Sequence, residues 1–167
     1  AAFAQAGIEE ILSRLPGQAR LLEADWLEST VLINRGDHFE ATPLPIEAQF
    51  APAFGVSAAD FDGDGVEDVF LSQNFFAVQP ETARYDAGRG LLLLGDGAGN
   101  FRPLTGQASG VKLYGEQRGS AVCDFDHDGR VDLAVAQNSA ATGLFKNISA
   151  RPVLRVISSD ARNAAAT

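Results

Sequence analysis

Two nine-residue stretches of this 167-residue chain carry aspartates in one register, 64 positions apart (Asp124 against Asp60). Residues 60–68 read DFDGDGVED and residues 124–132 read DFDHDGRVD. Aspartates stand at loop positions 1, 3, 5 and 9, with glycine (Gly65, Gly129) at position 6. A hard cation such as Ca²⁺ takes six to eight oxygens at about 2.3–2.6 Å, and a loop curling around it offers every second side chain. The candidate ligands are Asp60, Asp62, Asp64 and Asp68 with the Val66 carbonyl, then Asp124, Asp126, Asp128 and Asp132 with the Arg130 carbonyl. Position 7 would contribute only its backbone, so its side chain can vary. Glycine at position 6 permits a turn at positive φ. The expectation is two Ca²⁺ ions, one per loop. All-oxygen sites also suit Mg²⁺, but seven-fold geometry favours calcium. The plain alternative is an Asp/Gly turn without metal. Against it, clustered carboxylates repel one another, and here the same liability occurs twice in register.

The spacing begins as an EF-hand loop does, but an EF-hand needs a bidentate glutamate at position 12 and a helix on each side. Position 12 is Leu71 in one copy and Val135 in the other. The flanking runs FGVSAA (54–59), VFLS (69–72), GSAVC (119–123) and LAVA (133–136) are short and built of small, apolar or β-branched residues. They predict strands, so each motif is strand, loop, strand.

The repetition extends beyond the loops. At the same offset Gly55 meets Gly119, and Gln73-Asn74 meets Gln137-Asn138. The similarity covers about twenty residues, a repeat of structure and not only of ligands. A second hairpin signal also recurs. TVLINRGDHF (30–39) and LLLLGDGAGNF (91–101) are each an apolar strand, a glycine-containing turn and an aromatic restart. A degraded version is TGLFKN (142–147), followed by VLRVI (153–157). The expected order is hairpin, calcium hairpin, hairpin, calcium hairpin, hairpin. Pairs of hairpins make four-stranded antiparallel units: half of one, then a full one, then a nearly full one. Such units repeated radially are the blades of a β-propeller, which needs about four or more to close. The fold class expected is therefore all-β, with four-stranded antiparallel blades of an incomplete β-propeller and a short N-terminal helix. The chain would be a fragment, or would complete its architecture by association.

These loops and hairpins resemble the FG-GAP/VCBS repeats of integrin-α-like propellers. Residues 20–157 are more narrowly similar to the C-terminal propeller part of bacterial relatives of cartilage acidic protein, which end in an ASPIC/UnbV domain. The stretches carrying that likeness are FAPAFG (50–55), SQNFFA (72–77), RYDAGRG (84–90) and YGEQRG (114–119). The tail 151–157 looks like the first strand of the ASPIC/UnbV region. The resemblance implies the same calcium ligands already named, and neither loop departs from the pattern. It names no partner, because propellers host many functions.

Phe3, Ile8, Ile11, Leu12 and Leu15 fall at helical spacing, with Pro16-Gly17 as a stop. They predict a helix within residues 1–19, packed on a blade face or on sequence not present in this chain. Strands are expected to begin at 21–27. The blades would span 20–157 and a tail 158–167.

Net charge is −9. Nine acidic residues lie in the two loops, the eight aspartates above and Glu67. Two Ca²⁺ ions would offset four units of that charge. No basic patch exists to release counterions, which argues against a nucleic-acid partner. No apolar run reaches membrane-spanning length, so membrane insertion is not expected. No signal peptide is visible in a chain that begins without methionine. Weak all-loop calcium sites suit the calcium levels outside the cytosol, so an extracellular or periplasmic location is expected. The lone Cys123 reads as a small buried hydrophobe.

Other motifs have plain explanations. Arg35-Gly36-Asp37 sits where a hairpin turn wants such residues. Asn147-Ile148-Ser149 is a glycosylation sequon whose meaning depends on a secretory context. The glycine-rich turns 88–90 and 95–99 lack a following helix and a Walker lysine. His38 and His127 lie in turns far apart, and no nucleophile-base set is brought together in sequence. Phe75-Phe76 reads as core beneath a connection more readily than as a ligand platform. The expected function is a non-enzymatic calcium-binding module for adhesion or for recognition of protein or glycan. The alternative is part of a polysaccharide-acting enzyme, with Tyr85, Tyr114 and Arg118 as candidate catalytic groups. Exposed blade edges would favour self-association.

Overall fold

The computed structural model describes residues 5–14, 17, 20 and 22–152. Nine strands dominate it. β1 (Thr30–Asn34) and β2 (Phe39–Pro43) form a two-stranded sheet. β3 (Ala53–Ala59), β4 (Asp68–Gln73), β5 (Leu91–Gly95) and β6 (Phe101–Leu104) form a four-stranded sheet in chain order. β7 (Glu116–Cys123), β8 (Asp132–Asn138) and β9 (Gly143–Phe145) form a three-stranded sheet. Every neighbouring pair is antiparallel. The all-β expectation holds: the described strands form a two-, a four- and a three-stranded antiparallel sheet.

The middle sheet explains why its strands are apolar without alternation. Side chains alternate across a strand, so a sheet covered on both faces needs apolar residues at every position. Phe70 on β4 and Leu92 on β5 point to one side, here termed the forward face. They pack there with Phe61, Val111, Leu133 and Val135, the last two from β8. Leu71, Leu91 and Leu93 point to the back face and meet Ala48 and Leu44 of the β2–β3 connection. A 3₁₀ turn at Ile46–Gln49 buries Ala48 in that layer. Gln49 ties the turn down by accepting from the Ser29 amide and donating to the Ser29 and Leu44 carbonyls.

The middle and third sheets approach closely at a pair of counterpart residues. A Cβ on Gly55 would lie 3.0 Å from the Gly119 Cα. Beside them Ser57 and Ser120 share a hydroxyl hydrogen bond of 2.7 Å. β3 and β7 are each irregular at the same place, between Ala53 and Gly55 and between Gln117 and Gly119. The repeat therefore includes its bulges, which bend a strand and re-aim the residues beyond.

Several expectations need correction. Residues 22–27 form no strand and are exposed; regular pairing begins at Thr30. Without a paired neighbour, their apolar side chains have nothing to cover. The N-terminal helix exists as α1 (Ile8–Ser13) but buries no residue, and Ile8 is exposed. Phe3, Leu15 and Pro16 lie outside the described residues, as do Leu21, the strand expected at 153–157 and the tail. Cys123 is exposed. It points to the side of β7 opposite Val122, which packs in the core, and nothing among the described residues covers that side. Phe75 is half-buried and Phe76 exposed, so the pair is not fully core. The 35–37 turn is explained locally: the Gly36 amide donates to Asn34 Oδ1 and the Arg35 amide to the His38 carbonyl.

Phe70 is fully buried between the two larger sheets. Phe70→Ala should lower the unfolding free energy by about 3–5 kcal/mol, read by denaturant titration.

Candidate metal centre

Each loop joins the inner hairpin of its unit, β3 to β4 and β7 to β8. The chain must reverse within a few residues, leaving a run of backbone amides turned inward. The aspartates take them. Asp60 Oδ1 accepts from the Gly63 amide (2.6 Å) and the Asp64 amide (3.1 Å), and its Oδ2 from Gly65 (2.9 Å). Asp124 repeats this with Asp128 (3.0 Å) and Gly129 (3.0 Å). The third-position carboxylates, Asp62 and Asp126, accept from the Asp64 and Asp128 amides. The fifth-position carboxylates, Asp64 and Asp128, accept from Val66 and Arg130. Gly65 and Gly129 have φ of 89° and 81°, in line with the positive φ expected at position 6.

Position 9 does a different job. Asp68 and Asp132 are buried. Asp68 Oδ2 accepts from the Phe61 amide (2.9 Å) and Oδ1 from the Gly95 amide on β5 (2.9 Å). Asp132 accepts from Phe125 (3.2 Å) and from Asn147 (2.8 Å), just beyond β9. One carboxylate thus pins the start of its loop to the next strand. Burial pushes the Asp68 carboxyl above its ordinary range. Bonds from Gly95 and Phe61 oppose this, and the charges of Asp62 and Asp64 add to it. A bound cation would reverse that balance by its own charge.

Among the described residues, two clusters of carboxylates could hold a metal ion. In the first loop oxygens of Asp60, Asp62 and Asp68 lie within 4.8 Å of one another. In the second the set is Asp124, Asp126 and Asp128. The expected ligands are therefore brought together in part. Asp64 stands outside the first set and Asp132 outside the second. The donors are all hard oxygens, which fits Ca²⁺ or Mg²⁺.

The two loops differ in their cations. Lys146, directly after β9, pairs with Asp126 and lies 3.2 Å from Asp128 Oδ2. Arg130 NH1 lies 2.8 Å from the same Asp128 oxygen. Burial pushes the Asp128 carboxyl up, yet the Lys146 and Arg130 hydrogen bonds outweigh it and hold the group below its ordinary range. Its partners, Asp126 first, raise Lys146 in turn. Among the described residues no lysine or arginine pairs with the first loop.

Two features escape sequence reasoning. Position 4 also needs positive φ: Gly63 has φ 77° and His127 has φ 60°. Glycine at that position in one copy is the available signal. The second feature is Asn147. Its side-chain amide donates to the Phe61 carbonyl of the first loop (2.7 Å) and to the Val131 carbonyl of the second (3.2 Å). Its Oδ1 accepts from Ala150, while Ala150 O accepts from Arg130 Nε (2.8 Å). The segment 147–151 is wedged between the loops: a Cβ on Gly63 would fall 2.7 Å from the Arg151 amide nitrogen. In the sequence, Asn147 stands out only as part of a sequon.

The candidate catalytic groups lie elsewhere. Arg118 sits over the rings of Phe54 (4.1 Å) and Phe75 (5.5 Å) and pairs with the buried Glu116 at 3.1 Å. The Phe76 amide and Asn138, then Arg118, hold the Glu116 carboxyl below its ordinary range. Tyr85 bridges to Phe75 across the backbone, and Arg89 covers Tyr114 at 5.2 Å. Arg118 is six residues from Asp124 along an extended strand, roughly 20 Å. These groups do not converge on either loop.

Asn147→Ala should cost about 1–3 kcal/mol, because it strands two loop carbonyls that face the segment. Denaturant unfolding of the variant measures that loss.

Comparison with family models, with curated proteins and with solved structures finds no match.

Proposed function

We propose that the two loops bind one Ca²⁺ each and that the chain is a calcium-stabilised repeat module of β-propeller type. The observation that supports this best is the duplicated frame. Both loops hold their first, third and fifth carboxylates with the same loop amides, and each gathers three carboxylates within 4.8 Å. Like charges at that separation repel, and a divalent cation turns the repulsion into attraction. The Val66 and Arg130 carbonyls remain in the proposed ligand set on spacing alone.

Calcium here has a structural role. The ninth-position aspartates already join each loop to the next strand. An ion held by Asp60, Asp62 and Asp68 in the first loop, or by Asp124, Asp126 and Asp128 in the second, would fix the rest of the loop relative to that anchor, with Asp64 and Asp132 completing the proposed ligand sets. The first loop is the stronger site on this reading, since Lys146 and Arg130 compete for the carboxylates of the second. The module's work is non-enzymatic recognition of a protein or glycan through loops at the sheet ends. Calcium-rich surroundings outside the cytosol suit such sites.

A thermal melt of the protein, with calcium titrated against a chelator, tests the metal reading. A ligand that binds only the folded state raises the melting temperature with its concentration. The expected result is a calcium-dependent rise that disappears in the Asp62→Ala, Asp126→Ala double variant. A wild-type melting temperature indifferent to calcium would remove the metal from the proposal.

A further inference from the structure

The internal repeat supplies each surface position with a counterpart of known burial. On the forward side, Phe61 of the first loop is 8% exposed, while Phe125 at the same place in the second is 54% exposed. Leu92, opposite Phe70, is 9% exposed, while Leu144, opposite Ala134, is 72% exposed. Ala59 packs against the core, while its counterpart Cys123 is exposed. The forward face of the third sheet is therefore built like the covered forward face of the middle sheet, and is open among the described residues.

The first sheet shows the opposite case. Its hairpin matches β5–β6, so Leu32 stands for Leu93 and Phe39 for Phe101. Leu93 is 0% exposed and Leu32 61%. Phe101 packs against the back-face core, while Phe39 is 65% exposed. In register, Leu32 pairs with Ala41 and Asn34 with Phe39, so Leu32 and Phe39 share one face. That face is the back face, while Ile33 on the other side lies over Gly99 of the middle sheet.

One end of the stack thus exposes a forward face and the other a back face. Those two kinds of face already meet inside the chain, where the middle sheet's forward face packs on the third sheet's Leu133, Val135 and Phe145. We propose that the open forward face of the third sheet docks the open back face of the first sheet of a second copy, head to tail. The interior junction is the template: Leu32 of the incoming copy would occupy over Leu144 the place that Phe145 holds over Leu92. The contact is heterologous, so each copy offers one donor and one acceptor face. It uses sheet faces, not strand edges, and is independent of whether the loops hold metal.

Sedimentation equilibrium of the full chain over a concentration series tests it, with Leu32→Asp and Leu144→Asp as single variants. Both side chains are exposed, so neither change disturbs the core. The wild type should gain mass with concentration. Each variant alone should associate about tenfold or more weakly, as expected for loss of an apolar anchor. An equimolar mixture of the two variants should form a one-to-one dimer and stop there, because each retains the face the other has lost. A wild type that stays monomeric throughout would overturn the proposal. So would variants that associate as the wild type does, the outcome expected of edge pairing, or a mixture that stays monomeric where the wild type associates.

Discussion

The arrangement depends on two buried aspartates, Asp68 and Asp132. Each uses both carboxylate oxygens on backbone amides, one at the start of its own loop and one on or just past the next outer strand. A buried carboxylate without such partners would be strongly disfavoured. The need to satisfy it therefore fixes where the loop sits relative to β5 in one unit and to the end of β9 in the other. The remaining loop carboxylates are then clustered on a frame that cannot spread without breaking those bonds. Electrostatic strain and structural order have the same origin.

Layering arises from a second constraint. The middle sheet is the one sheet among the described residues with apolar cover on both faces. Leu91, Leu92 and Leu93 are all buried there, although leucine has no special preference for strands. Sheet packing overrides propensity in that run. The outer sheets each use one face, and their unused faces carry side chains of the same apolar kind. The Asn147 segment then bridges the two loops on one side of the junction, while the Gly55–Gly119 approach and the serine pair close the other.

Much of this was legible in the residues. Alternating aspartates with glycine at position 6 announced both loops, and the 64-residue offset announced two equivalent hairpins; the matching irregularities beside Gly55 and Gly119 went unannounced. Turn residues located the β1–β2 and β5–β6 hairpins. What escaped was whatever depends on contacts distant in sequence. Asn147 meets Phe61 across 86 positions, and no local pattern marks that. Cys123 looked like core because its neighbours are apolar, but burial depends on which face receives a partner. Strands were expected to begin at residues 21–27, yet 22–27 mix Leu and Trp with Glu, Ala and Asp, which strands disfavour, and no neighbour among the described residues pairs with them. His127 adopts a positive φ, a conformation uncommon for any residue but glycine, and histidine at that position does not announce it.

On the proposed reading, the paired carboxylate frames are cation sites. Equilibrium dialysis of the protein against millimolar calcium, with elemental analysis of protein and dialysate, counts the bound ions directly. The expected count is two per chain, falling to one when Asp60 and Asp62 are both replaced by alanine. A count of zero, or a count unchanged in that variant, would contradict it.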